Sequence, residues 1–533
     1  MIEAWIESSL IRATNLSKSK LNKPLAIKVM KNEVRSFQIV VRNKRSHNIS
    51  LHLNSNDPNN IRIRSVGMVP MAHRNTEMSD KKGDVDLQLS YPGFVPDPLL
   101  DQTEILLGAY ETRSFWITVN YKRKLKPGIK KISLNLLCDE KKIKQFKIQL
   151  NTLNFKIPPR KNFPVTHWFY IDAIMDFYKF DNFNNDFWKM IEKYMINLVE
   201  HGTDTIFVPA FTPPLDGIKR PSQLVNVMMT SNQTYKFDFK FLKKYIQLAK
   251  KCGFRHFEWS HLVTQWGAKN ALRIYKGNGE TEELLWKPNT LATSNIYLEF
   301  MSQYLKKLKS FLDKEKIFKN SFFHLSDEPH GEEQLKNYMS FKNKIKVIAP
   351  WLSFMDAVSE IKYAENGVVD MPIAALKNSI KFIDRGFETW CYFCCGPRGQ
   401  YLNRLLDTPL PKISMSGTLF YKWPFKGFLH WGYNYWYKRS SRTLADTYTT
   451  SDADVWPAWP YGDPFVVYPG KDGPIDSIRW EIFGESLQDY DILQALKINR
   501  NDPIIKQLNS FEDFPKSIAW KEKFKEKLYA LAE

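Results

Sequence analysis

Between residues 165 and 436 the chain alternates eight short apolar or aromatic runs with helical stretches, and this alternation restricts the fold more than any other feature. The runs are VTHWFYID from 165, DTIFVPAF from 204, FRHFEWSHL from 254, SFFHLSDEP from 321, LSFMDAVSE from 352, VVDMPIAA from 368, ETWCYFC from 388 and FLHWGYNYW from 428. Near-continuous apolar runs suit strands covered on both faces, as in a parallel sheet with crossover helices. Between several of them lie amphipathic segments, DFWKMIEKYMINLVEHG, DFKFLKKYIQLAKKCG and NIYLEFMSQYLKKLKSFL, the first two ending at a glycine stop. Eight such units predict a (β/α)8 barrel of the TIM type over 165–500, with its chemistry at the C-terminal strand ends.

The residues before the barrel have another texture. From 1 to 155 short alternating runs such as SFQIVVRN, ISLHLNS, RSFWITVNY and KISLNLLCD are separated by Pro, Gly, Asn and Lys turns, which predicts an all-β sandwich. The segment KIPPRKNFPV, 156–165, has three prolines and no periodicity, so the domain boundary is expected there. The final 501–533 reads as a polar helical tail. With 533 residues, 43% apolar and 14% aromatic, the chain can fill more than one core.

Lys and Arg outnumber Asp and Glu by 77 to 57, a net +20 that would suit a nucleic acid or another polyanion. The lysines are spread through helices and turns, however, and the densest run, YKRKLKPGIKK at 121–131, has no interleaved aromatic ladder. A solvated face is the simpler account, and no nucleic-acid partner is expected. No apolar run approaches membrane-spanning length, so stable membrane insertion is not expected. The first twenty residues lack an export signal, which predicts a cytoplasmic location, or a secreted one if a leader has been removed. Five cysteines, three of them crowded at 391, 394 and 395, do not resemble a disulfide framework. The spacing Cys391-x-x-Cys394 has no second ligand pair, so zinc is not expected there.

In SFFHLSDEPH, alternation puts Phe323 and Leu325 toward the outer helices and His324 and Ser326 toward the barrel axis. Asp327 and Glu328 can face one pocket only if the strand ends near Ser326, with Pro329 holding Glu328 extended. Two carboxylates in one pocket are expected to push one pKa up, which keeps a general acid protonated near neutrality. The plainer alternative makes Asp327 a cap of the following helix and Glu328 a surface ion-pair partner. A metal site from His324, Glu328 and His330 lacks the helical HExxH spacing.

HLSDEP on the fourth strand, GFLHWGYNYW on the eighth and GDPFVVYPGKDGPIDSIRWEIFGESLQDYDIL after it together resemble glycoside hydrolase family 123 over most of the chain. The resemblance implies a retaining β-N-acetylgalactosaminidase-type enzyme working by substrate assistance. It makes Asp327 the residue that steers the substrate's acetamido group and Glu328 the acid/base. In the family Arg-Glu-Gly precedes the Asp-Tyr pair, whereas here Gly484, Glu485 and Ser486 precede Asp489 and Tyr490.

Such a route needs no metal or organic cofactor, because the acetamido oxygen is the nucleophile. Trp390, Tyr392, Trp431, Tyr433 and Asn434 are the substrate-binding candidates, with core packing as the competing role. Trp456, Trp459 and Tyr461 in the stretch 440–464 would form a sugar-stacking wall or anchor their loop. The partner is then a glycan or glycoconjugate. Two rivals remain open: a hydrolase using Glu258 or Glu360 as protein nucleophile, and a non-catalytic glycan-binding protein, suggested by Gly484 and Ser486.

Overall fold

A computed structural model gives the fold and describes every residue except 22–23, 76–91, 122–124, 215–217 and 232. The N-terminal part is two five-stranded sheets. One runs in the order Ile2–Ser8, Arg35–Asn43, Thr112–Val119, Ile61–Met71, Gly93–Leu100; the other in the order Leu25–Val29, Lys141–Thr152, Gly128–Cys138, Ile49–Ser55, Glu104–Leu107. Their inner faces share one apolar cluster that includes Ile39, Val41, Leu51, Leu53, Phe115, Ile117, Leu134 and Leu136. The strand Ile49–Ser55 shows the cause: Ile49, Leu51 and Leu53 are buried, and the residues between them are not.

The eight barrel strands are Val165–His167, Thr205–Val208, His256–Trp259, Ser321–Phe323, Met355–Val358, Met371–Ala375, Trp390–Tyr392 and Phe428–His430, each inside its predicted run. They form one parallel sheet whose ends, Ser321–Phe323 and Met355–Val358, meet through a single bridge between Phe323 and Phe354. The ring is therefore nearly closed, with a seam after the fourth strand. Helices Asn185–Glu200, Lys240–Cys252 and Asn295–Lys314 bury their apolar stripes outside it. Gly253, at φ 110°, ends the second of these in the left-handed conformation that glycine adopts without strain.

The first sheet has a second covered face. Phe115 and Ile117 point into the sandwich, while Trp116 joins the barrel's core. Buried ions cross this boundary. Arg64 reaches Asp476 at 2.5 Å and Glu481 at 2.9 Å, and Arg479 pairs with Asp97 at 3.0 Å, all five side chains being almost inaccessible. Both barrel-side acids and Arg479 belong to the long segment after the eighth strand. Within it, the helix Ile478–Ala495 packs so tightly on Ser416–Lys422 that a Cβ on Gly417 would lie 1.9 Å from the Ser486 carbonyl oxygen. The C-terminal helix, Ile518–Ala532, is tied in by Lys521 and Lys525 to Asp489 and by Lys525 to Glu33.

Candidate active site

Beyond Phe323 the backbone leaves the sheet and turns. Ser326 donates its hydroxyl to the Thr264 carbonyl at 2.8 Å, and the Asp327 carbonyl accepts the Trp266 amide at 2.9 Å. Glu328 is not extended, as the proline after it suggested, but sits at φ 41°. A non-glycine residue in this region is rare, and such strain is concentrated at functional sites. The reversal breaks the alternation that would otherwise send Asp327 and Glu328 to opposite faces. Tyr392, at the end of the seventh strand, donates its hydroxyl to Glu328 Oε1 at 2.6 Å. Burial, then the charges of Glu328, Cys394 and Asp327, push this phenol well above its ordinary range, so it stays a donor. Asp327 is only 9% exposed. The helix that follows starts at Gly331, whose amide is taken by Glu360 at 2.9 Å.

Beneath the pair lies a buried polar network. His324 points inward, with Nε2 2.8 Å from Glu258 Oε1 and Nδ1 3.0 Å from Asp356 Oδ1. Burial alone would lower this imidazole, but the two carboxylates outweigh it and push it up to about 10. Glu258 also accepts the Thr166 hydroxyl and the Trp168 indole N–H, the latter at 2.7 Å. Asp356 accepts the amides of Leu325 and Ser326 at 3.1 and 3.3 Å, and the Tyr338 hydroxyl. Asp356 is the member that sequence reading passed over; its signal was an acid in an otherwise apolar strand.

The expected substrate-binding residues separate into two groups. Tyr392 stands at the pair, and Trp431 lies at the end of the eighth strand, half-buried, its indole donating to Asp463 at 3.0 Å. Trp390 is instead packed in the barrel interior, against Phe322 at 5.1 Å and directly over Gly427. Tyr433 points outward into the core, donating to Asn197 at 2.9 Å. Asn434 is spent on backbone, binding both the amide and the carbonyl of Tyr170 at 2.9 and 3.0 Å. Trp390, Tyr433 and Asn434 therefore hold the barrel together rather than present themselves to a ligand. In the stretch 440–464, Trp459 backs Trp431 at 4.8 Å, whereas Trp456 stacks on His73 of the sandwich at 4.3 Å. Tyr461 is held through its backbone by Asn75.

Asp463, also missed in the sequence, is pushed up to about 7 by burial, against the pull of the Trp431 indole and of Arg404, Arg398 and Arg479. Among the described residues, two sets of donors come within 4.8 Å of one another: His261, His324 and Asp356, and His201, Asp476 and Glu481. In each the acids already face cations, His324 in the first and Arg64 in the second. A metal ion would have to displace those partners. The set His324, Glu328 and His330 does not assemble, since both nitrogens of His324 are held by Glu258 and Asp356.

An eight-stranded parallel barrel that gathers two neighbouring carboxylates and several aromatic rings at its strand ends is an architecture of glycoside-cleaving enzymes. The family described as "Glycoside hydrolase 123, catalytic domain" matches residues 168–496, more than half of the chain. The chain belongs to glycoside hydrolase family 123. Among solved structures, it is similar to a family 123 glycoside hydrolase from Clostridium perfringens, studied for glycolipid glycan hydrolysis. The TM-score is 0.74 and the identity 17%, with 100% of this chain and 97% of that one covered. A Bacteroides ovatus GH5 xyloglucanase also matches, at TM-score 0.28 and 9% identity over 87% of this chain and 98% of its own, too little likeness to bear on the site. No curated protein matches the sequence.

Proposed function

We propose that the protein is a retaining hydrolase of β-linked N-acetylgalactosamine or a related 2-acetamido sugar, working through an oxazolinium intermediate formed by the substrate itself. The observation that carries this reading is how the carboxylates are used. Asp327 and Glu328 share one strand end with Tyr392 on Glu328, while the two candidate protein nucleophiles are occupied elsewhere. Glu258 is fully buried under three donors, and Glu360 holds the Gly331 amide and Lys362.

In this mechanism the acetamido oxygen attacks the anomeric carbon as Glu328 protonates the departing oxygen, and Asp327 accepts the acetamido N–H and balances the positive ring. Water then attacks the anomeric carbon, and Glu328 takes its proton back. Trp431, backed by Trp459, offers a ring face to the sugar. The Clostridium perfringens relative suggests that glycolipid glycans are among the natural substrates. A non-catalytic role is not favoured, because the altered Ser486 packs against Gly417 in a helix contact.

The test is a thiazoline mimic of the oxazolinium. It should bind wild type on the order of a hundredfold more tightly than Asp327→Asn, the scale of one lost charge-stabilising contact. Equal binding would leave a protein nucleophile as the better account. In parallel, Glu328→Gln should lose far more activity on a poor leaving group than on an activated aryl glycoside.

A further inference from the structure

The thiol-bearing segment just past the seventh strand has no part in the mechanism above. The sequence drew attention to Cys391 and Cys394, yet the fold separates their roles: Cys391 is buried, its thiol directed at the Gly427 carbonyl 3.8 Å away. Cys394 is matched instead with its neighbour. The Sγ atoms of Cys394 and Cys395 lie 3.6 Å apart, and both residues are half-buried. Adjacent cysteines in an ordinary strand would point to opposite faces. Here the backbone is bent to bring them together. The Cys394 amide donates to the Gly396 carbonyl at 3.1 Å. Asn403 clamps the carbonyls of Cys394 and Pro397 at 2.9 and 2.8 Å, and Arg398 binds the Cys395 carbonyl at 2.8 Å.

Two sulfurs each about 2.3 Å from one tetrahedral ion lie roughly 3.7 Å apart, which is the separation already present. We infer that Cys394 and Cys395 form a chelating site for a single soft, thiophilic ion or metalloid, and that filling it blocks hydrolysis. The blocking rests on the assignment of Glu328 made above. Cys394 is two residues from Tyr392, whose hydroxyl holds Glu328, and its thiol lies within electrostatic reach of Glu328 and Asp463. A bulky adduct there would crowd the end of the seventh strand. Soft sulfur ligands select this class of partner over hard cations such as magnesium or calcium.

Phenylarsine oxide is the probe. Each thiol gives its proton to the oxide oxygen, which leaves as one water, while two As–S bonds replace the As=O bond and nothing is oxidised or reduced. The full-length protein should take up one arsenic by intact mass, with two thiols lost to later alkylation, mapped to Cys394 and Cys395. Hydrolysis should fall with occupancy and recover with a chelating dithiol. An equal concentration of monothiol should release the arsenic on the order of a hundredfold less effectively, because the second bond is intramolecular. Cys395→Ser and Cys395→Ala should each keep their activity and resist the reagent. An adduct on Cys252 or Cys138, or inhibition that persists in both variants, would overturn the site. One arsenic at the two thiols with undiminished hydrolysis would overturn the blocking. Mass and thiol count are read without any substrate, so a failure of the hydrolase assignment leaves the site itself testable.

Discussion

Tyr392 and Trp390 lie on the same strand and face the same side, with one residue between them, and that step along the strand separates their roles. A step of two residues along a strand is about 7 Å. That distance takes the ring from the carboxylates down into the packed interior over Gly427. Tyr392→Phe removes the hydroxyl that holds Glu328 in place, a hydrogen bond worth roughly 0.5–1.5 kcal/mol, so kcat should fall about twofold to tenfold in steady-state assays. Trp390→Ala should leave KM unaffected in the folded fraction but lower stability by about 3–5 kcal/mol in denaturant titration, as cavities of this size do. The carboxylate pair was legible because its two residues are contiguous and end an apolar run. The depth of Trp390, the outward turn of Tyr433 and the backbone clamp of Asn434 were not, since alternation reports which face a side chain takes and says nothing of the layer or the partner. The left-handed Glu328 was hidden for a related reason: a proline predicts an extended neighbour, and only the surrounding contacts override it.

At the scale of elements, the strand ends are tied together by His324 rather than by long ladders. Its folded-state pKa, about 10, stands above the ordinary value of about 6.5, so the protonated form is stabilised by folding. That contribution is fully present below about pH 6.5 and is lost as the pH rises toward 10. Melting temperature should therefore decline across this interval in wild type, and His324→Gln should flatten that part of the profile while lowering stability at neutral pH. All eight strand runs were legible from their apolar continuity. The network was not, because Glu258, His324 and Asp356 come from three separate strands, and single-strand patterns do not say which polar residues meet.

For the whole molecule, the long segment after the eighth strand, the most distinctive stretch in the sequence, joins the sandwich to the barrel. Arg479 and Asp97 are far apart in the chain and fully buried together, a pairing that no local pattern discloses. Asp97→Ala would leave the Arg479 guanidinium buried without its carboxylate, a loss of about 3–5 kcal/mol. Calorimetry should show one transition moved to lower temperature; a sandwich melting separately while the barrel stays put would contradict this coupling. The seam between Phe323 and Phe354 gives the barrel the mechanics of a split ring, with the gap beside the carboxylates and the Asp356 side chain pinned across it to the amides of Leu325 and Ser326. A ring cut at one place can spread there without tearing any ladder of strands, so the end that carries the two carboxylates is also the place where the barrel can breathe, and deuterium uptake at those two amides measures how tightly the pin holds.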